Sequence, residues 1–205
     1  MQALEKDNKE KNSKKQKKRL AYTLIILLVL SAIYASAYFL KQAKEKQYYN
    51  DFLVQKSELG YMTKLYIANN PYLIETKYHP MDVEDIKIDF NPKSVIKNKQ
   101  HIYVAIDPYD TRLTGKTTIA GMELKALIEP FFKTAVTSAF TKEKNNYTLK
   151  TCPEQNKTEA VFLLAIGNET KIFKNDNCII LEAITQEDLI KEADAVIFRL
   201  LSITK

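Results

Sequence analysis

The longest uncharged stretch of this chain runs from Leu20 to Leu40 and contains neither proline nor glycine. Its 21 residues would form a helix about 31 Å long, close to the roughly 30 Å thickness of a bilayer's hydrocarbon core. Tyr22, Tyr34 and Tyr38 lie towards its two ends, where amphipathic rings favour the membrane interface. The stretch therefore predicts a single transmembrane helix over residues 20–40, with the lipid bilayer as its partner.

The segment that precedes this helix is strongly basic. Residues 1–19 carry eight Lys or Arg side chains and three acidic ones. The sequence KKQKKR directly before Leu20 is typical of a cytoplasmic flank, because basic flanks are retained in the cytoplasm. We expect residues 1–19 to be a cytoplasmic tail and the rest of the chain to lie outside the cytoplasm, anchored in the plasma membrane.

The net charge of +6 is a property of this tail. With +5 in residues 1–19 and no charge in 20–40, the remaining chain sums to +1. A nearly neutral domain has no electrostatic footprint for a polyanion. We therefore expect no nucleic-acid partner.

Two alternatives to a permanent anchor remain open for this segment. Ala35-Ser36-Ala37 has the small-x-small pattern that signal peptidase prefers, so cleavage would leave a secreted protein beginning at Tyr38. The second alternative is a resemblance. The run AYTLIILLV at residues 21–29 is similar to the start of type IV pilins, which implies cleavage after Ala21 and assembly as a minor pilin-like subunit. The glutamate that this family carries at the fifth mature position is replaced here by Ile26.

Residues 41–60 predict a juxtamembrane stalk helix. Tyr49, Phe52, Leu53 and Leu59 form an apolar stripe at helical spacing. Gly60 is a suitable residue for the C-terminal cap.

Residues 61–205 predict one extracytoplasmic domain with short strands separated by proline turns. Strands are expected at residues 86–90, 101–106, 147–152, 160–166, 170–173 and 177–183. The last two should form a hairpin. Helices are expected over residues 117–127, from Pro130 to Phe140, and after Thr185, which is a suitable N-cap with Asp188 at the capping-box position. The predicted fold class is α+β, with a mostly antiparallel sheet packed against about three helices.

The two cysteines, Cys152 and Cys178, fall on neighbouring predicted strands. In an oxidising compartment such a pair favours a disulfide bond. Three Asn-x-Thr sequons, at Asn146, Asn156 and Asn168, are possible glycosylation sites near predicted strand ends.

Other residue patterns carry only weak signals of catalysis or binding. TGKTT at residues 114–118 has part of a phosphate-binding loop, but Asp110 stands where that loop needs its first glycine. The acidic residues Asp82, Glu84, Asp85 and Asp89 lack the spacing of a calcium-binding loop. His79 and His101 are isolated, which argues against a zinc site.

We therefore expect no catalytic residues, no cofactor and no metal site. The function that the sequence favours is non-enzymatic. The anchored outer domain would act by protein–protein contact in a cell-envelope or surface assembly, with a protein partner or a second copy bound through the stalk or the outer domain. An envelope enzyme or ligand-binding protein that uses the 107–118 loop is the remaining alternative.

Overall fold

The strand-forming segments begin much earlier than the sequence predicts. The computed structural model describes residues 27–36, 38, 46–67, 69–152 and 158–204. Residues 27–36 are helical with exposed side chains. The chain divides into one unit over residues 1–46 and a larger one over residues 47–205. Within the described ranges, no helix combines the length and the apolar character needed to cross a membrane.

The predicted tail at residues 1–19, and residues 20–26, 37, 39 and 40 of the predicted membrane helix, lie outside the described residues. Residues 41–45 of the predicted stalk also lie outside them. The anchor and its orientation therefore stay predictions.

Residues 46–76 form a four-stranded antiparallel sheet in the order β1-β2-β3-β4. Its strands are β1 (Lys46–Tyr49), β2 (Phe52–Lys56), β3 (Tyr61–Ile67) and β4 (Asn70–Thr76). Val54, Thr63 and Ile74 are opposite one another in the register of β2, β3 and β4, and all three are buried. The inner face of this sheet therefore belongs to the core.

The prediction of a stalk helix over residues 41–60 is wrong from residue 46 onwards. Asn50 and Asp51 have φ angles of 44° and 68°, and two consecutive positive φ values favour a two-residue hairpin turn over a helix. Gly60 caps no helix. A Cβ at this position would lie 2.1 Å from the carbonyl oxygen of Thr76, so the close approach of β4 requires glycine.

The second half of the chain builds a five-stranded sheet in the order β6-β5-β7-β9-β8. Its strands are β5 (His101–Ile106), β6 (Ala135–Phe140), β7 (Glu159–Ile166), β8 (Lys171–Asn175) and β9 (Cys178–Ala183). The predicted hairpin is confirmed, since β8 and β9 are antiparallel. The pairs β5–β6, β5–β7 and β7–β9 are parallel. The α+β class with an antiparallel sheet is confirmed, but this second sheet is mixed.

In residues 69–152 and 158–204, four helices accompany the two sheets. They are a 3-10 helix (Pro80–Val83), α1 (Pro92–Ile96), α2 (Gly115–Phe132) and α3 (Gln186–Leu201). Thr185 caps α3 as predicted, its hydroxyl accepting the N–H of Asp188. Helices α2 and α3 pack against each other and against one face of the mixed sheet. The largest buried side chains of this interface are Phe162 on β7 and Phe198 on α3.

Three local predictions are wrong. The segment from Pro130 to Phe140 is not one helix, because α2 continues through Pro130 to Phe132 and the left-handed residue Lys133 then turns the chain into β6. Residues 86–90 and 147–152 are not strands. They contribute only isolated bridges, Ile88 to Ile172 and Leu149 to Phe140. In a short apolar run, helical and strand periodicity cannot be told apart, so the sequence does not show where the helix ends and the strand begins.

Candidate functional site

The outer face of the antiparallel sheet exposes large apolar side chains. We define this outer face by Tyr48, Leu53, Lys64, Tyr66 and Leu73, which alternate with the buried residues along their strands. Leu53, Lys64 and Leu73 stand opposite one another in the register. Tyr48 is 77% exposed, and Tyr66 and Leu73 are each 64% exposed. Contiguous exposed apolar side chains on one face are a feature of interaction surfaces.

A lysine and aromatic rings together give the outer face an amphipathic character. The ammonium group of Lys64 lies 5.1 Å from the centre of the Tyr66 ring, which is a cation–π distance. On the opposite side of the same hairpin, Tyr72 contacts Phe131 at the end of α2 with ring centres 5.3 Å apart. This contact fixes the β3–β4 hairpin against the helical layer, so the outer face is held on a supported element.

The loop at residues 107–118 does not gather its charged groups around a ligand site. Each charge is paired within the surface. Asp107 accepts a hydrogen bond from Lys142 at 2.6 Å, Asp110 binds Arg112 at 2.7 Å, and Lys116 pairs with Glu187. These neighbours hold the pKa values of Asp107 and Asp110 below their usual range, chiefly through the hydrogen bonds from Lys142 and Arg112.

The N-terminus of α2 is also occupied from within the protein. The side-chain oxygen of Gln186 accepts hydrogen bonds from the N–H groups of Thr114 and Thr117 at 3.0 and 3.2 Å. These are N–H groups that a bound phosphate would need. A groove of about 140 Å³ lies beside α2, but its lining includes none of the charged residues Asp107, Asp110 and Lys116. Residues 115–118 are therefore the first turn of α2, and Gln186 at the start of α3 caps this helix end.

The other polar patterns in the sequence are also dispersed. Among the described residues, no group of three or more His, Cys, Asp or Glu side chains is placed to hold a metal ion. Asp82 serves as part of a capping box with His79 at the 3-10 helix. The ring of His101 stacks on Tyr103 with centres 4.4 Å apart and contacts the hydroxyl of Thr137.

The predicted disulfide bond is present. Cys152 and Cys178 are joined, with Cα atoms 5.3 Å apart. Cys178 is fully buried within a small apolar cluster on the second face of the mixed sheet. The bond ties the segment before β7 to the first residue of β9. Of the sequons, Asn146 and Asn168 are exposed, whereas Asn156 lies outside the described residues.

Sequence reasoning missed a group of buried acids. Asp194 and Glu192 on α3 have no exposed surface, and Glu123 on α2 is partly buried. Burial raises the pKa of Glu192 to about 9, with the charges of Asp188 and Glu182 acting in the same direction. Burial also raises the pKa of Glu123 to about 7. No sequence pattern marks these three acids as buried, because acidic side chains are rarely buried unless they are paired.

Comparison with known proteins gives no relative from which a function could be transferred. No protein-family model, no curated protein and no solved structure matches the chain. Function must therefore be argued from the residues and surfaces described above.

Proposed function

We propose that this protein is a single-pass, membrane-anchored protein whose extracytoplasmic domain binds another protein through the outer face of the antiparallel sheet. The observation that carries the proposal is the exposure of Tyr48, Tyr66 and Leu73 on one supported sheet face. Tyrosine combines a large apolar ring with a polar tip, which suits the centre of a protein interface. We place the contact in a cell-envelope or surface assembly.

The location outside the cytoplasm rests on separate features. The uncharged run at residues 20–40 follows a basic flank, which orients a helix with its N-terminus in the cytoplasm. The disulfide between Cys152 and Cys178 is typical of an oxidising compartment. Exposed sequons at Asn146 and Asn168 are compatible with a glycosylating host.

The proposal is non-enzymatic. The charged groups of the 107–118 loop bind one another across the surface. They therefore leave no unpaired charge in this loop that could orient a substrate. This favours a binding module over the envelope enzyme or ligand-binding protein.

Site-specific photocrosslinking in the native cells tests the surface. With a photoreactive residue at position 73, we expect a covalent adduct of one discrete higher mass. The matched control is position 122 on α2, because Leu73 and Met122 are each 64% exposed. Since both report random collisions equally, only a specific interface separates them. Equal adduct patterns from both positions, or an adduct from position 122 alone, would contradict the proposed surface.

Mass spectrometry of the mature N-terminus separates the proposal from its two alternatives. We expect an intact tail, because the basic flank and apolar run together act as an uncleaved anchor. A chain that begins at Tyr22 would establish the pilin-like subunit, and one that begins at Tyr38 would establish secretion. Digestion of the tail by protease from the cytoplasmic side checks the orientation. Protection of the tail from that protease would contradict the proposed orientation.

A further inference from the structure

Strand β6 stands at one edge of the mixed sheet, and side chains of α2 bind the backbone on its outer side. The N–H of Val136 donates to Oε1 of Glu129 at 3.0 Å, and the C=O of Val136 accepts the ammonium group of Lys125 at 3.1 Å. Lys125 and Glu129 also form an ion pair with each other at 3.3 Å, one helical turn apart. A single ion pair thus occupies both outward-facing backbone groups of Val136.

The other end of this edge is covered by the chain that follows β6. The N–H of Phe140 donates to the C=O of Thr148, and the C=O of Phe140 accepts the N–H of Lys150, both at 2.9 Å. Alternate residues of a strand turn their backbone groups to the same side, so Val136 and Ser138 face outwards like Phe140. Ser138 is exposed. Protection of the N-terminal half of the edge therefore depends on the ion pair of α2.

The sequence of β6 offers no protection of its own. Its six residues, AVTSAF, include no charge, no proline and no glycine, which is the composition of segments that pair readily with other strands. The other edge strands differ in this respect, since β1 contains Lys46, β4 contains Pro71 and β8 contains Lys171. Lysine and proline are the residues by which natural sheets blunt their edges.

Stability alone does not account for the ion pair. The side chains of Lys125 and Glu129 are 54% and 39% exposed, and an ion pair in contact with water stabilises a fold only slightly. The bond from the N–H of Val136 holds the pKa of Glu129 below its usual range, so this carboxylate remains an acceptor. The distinctive property of the pair is its position on the strand edge.

We propose that Lys125 and Glu129 form an edge cap, which prevents β6 from pairing with β6 of a second copy of this chain. The edge cap occupies the place where the backbone of a neighbouring strand would bind. It does not depend on the function proposed above, because the outer face belongs to the antiparallel sheet and β6 to the mixed sheet.

A second copy fits this edge because the edge is complementary to itself. In an antiparallel pair, two residues that stand opposite each other can exchange both of their N–H···O bonds. A two-fold axis at Val136 would place it opposite Val136 of the other copy, with each residue supplying one donor and one acceptor. These are the two groups that Glu129 and Lys125 bind in the single chain.

Sedimentation of the full-length chain in detergent measures the effect of the edge cap. For Lys125→Ala/Glu129→Ala we expect the dissociation constant of a dimer to be about tenfold or more below that of the wild type, because the exchange of two backbone hydrogen bonds contributes on this order. Hydrogen–deuterium exchange locates the contact. In the variant, exchange at residues 136–138 should be fast at low protein concentration and should slow as the concentration rises.

Two matched variants separate the edge cap from a general loss of charge. Lys116→Ala/Glu187→Ala removes another ion pair of α2, one that joins it to α3, and should sediment like the wild type. Glu129→Gln keeps an oxygen that can accept the N–H of Val136, so it should self-associate less than Glu129→Ala. This pair of single variants replaces the double variant if the latter does not fold.

Three results would overturn the proposal. The first is the same dissociation constant in the wild type and in the folded variant that lacks the edge cap. The second is equal self-association of the Lys116→Ala/Glu187→Ala control. The third is exchange at residues 136–138 that stays fast at every concentration, because the freed edge would then pair with nothing.

Discussion

Removal of the disulfide between Cys152 and Cys178 is expected to lower the free energy of unfolding by about 3–4 kcal/mol. The bond joins residues 26 positions apart, and a cross-link over such a loop restricts the unfolded chain by this amount in the chain-entropy model. Removal of the bond also lowers the stability of the folded state itself, because Cys178 is fully buried beside Val161 and Ile180. Urea unfolding of a variant with both cysteines replaced by alanine measures the effect.

Reduction of the wild-type protein is the matched control. A reducing agent should move the unfolding midpoint of the wild type towards lower urea and leave that of the double alanine variant unchanged. Two free thiols in natively purified protein would contradict the bond. A wild type whose midpoint is the same with and without reductant would contradict its stabilising role.

The second large effect concerns Glu192. We expect the domain to lose stability as the pH rises, because the folded state keeps a proton on Glu192 up to a pKa of about 9, whereas the unfolded chain loses it near the ordinary value. This contribution to the free energy of unfolding is fully present at pH values below the ordinary pKa of a glutamate. It is lost as the pH rises through the pKa that Glu192 has in the folded state. One retained proton between pH 5 and 9 corresponds to roughly 5 kcal/mol as an upper limit.

Comparison of the wild type with Glu192→Gln isolates this contribution. The glutamine has nearly the same volume and no charge, so the variant should be the more stable protein at pH 9 and should depend less on pH. Glu169→Gln is the control, because Glu169 is an exposed residue whose ion pair with Lys171 is worth little in water. Parallel stability curves for the wild type and Glu192→Gln between pH 5 and 9 would show that Glu192 is ionised in the folded protein.

The long apolar face of α3 and the β8–β9 hairpin could be predicted from the sequence because their signals are local. Thr185 marks the helix start, and the apolar positions that follow it repeat at helical spacing. The disulfide could also be predicted, since β9 is strongly patterned and the chain has no other cysteine. In each case the evidence lies within a few residues of the element concerned.

The first two strands could not be predicted in this way. Tyr49, Phe52 and Leu53 fit a helical stripe as well as they fit a strand, and the choice depends on Asn50 and Asp51 adopting left-handed backbone conformations. Strand β2 is stabilised by pairing with β3 and by burial of Val54 against the rest of the domain. Those partners are distant in sequence, so a local pattern carries no trace of them.

The candidate interaction surface and the buried acids depend on the same kind of information. Leu73 and Tyr66 are apolar residues in a strand-like sequence, and only the pairing of β3 with β4 shows that both face outwards. Asp194 lies between two alanines on α3, and it is buried where the segment after β4 packs against the helix and the N–H of Tyr78 donates to its carboxyl group. Burial is a property of the elements that surround a residue.

The feature that most limits this chain is still its uncharged run at residues 20–40. The sequence by itself determined that run, its basic flank and the α+β composition of the domain, because each depends on residue type and short-range spacing. It also determined the pairing of the two cysteines, because the chain has no other. The tertiary structure decided which strands run parallel, which sheet face is exposed and which acids are buried. Those properties arise from contacts between distant segments, where burial changes both the solvent exposure of a side chain and the free energy of its charge.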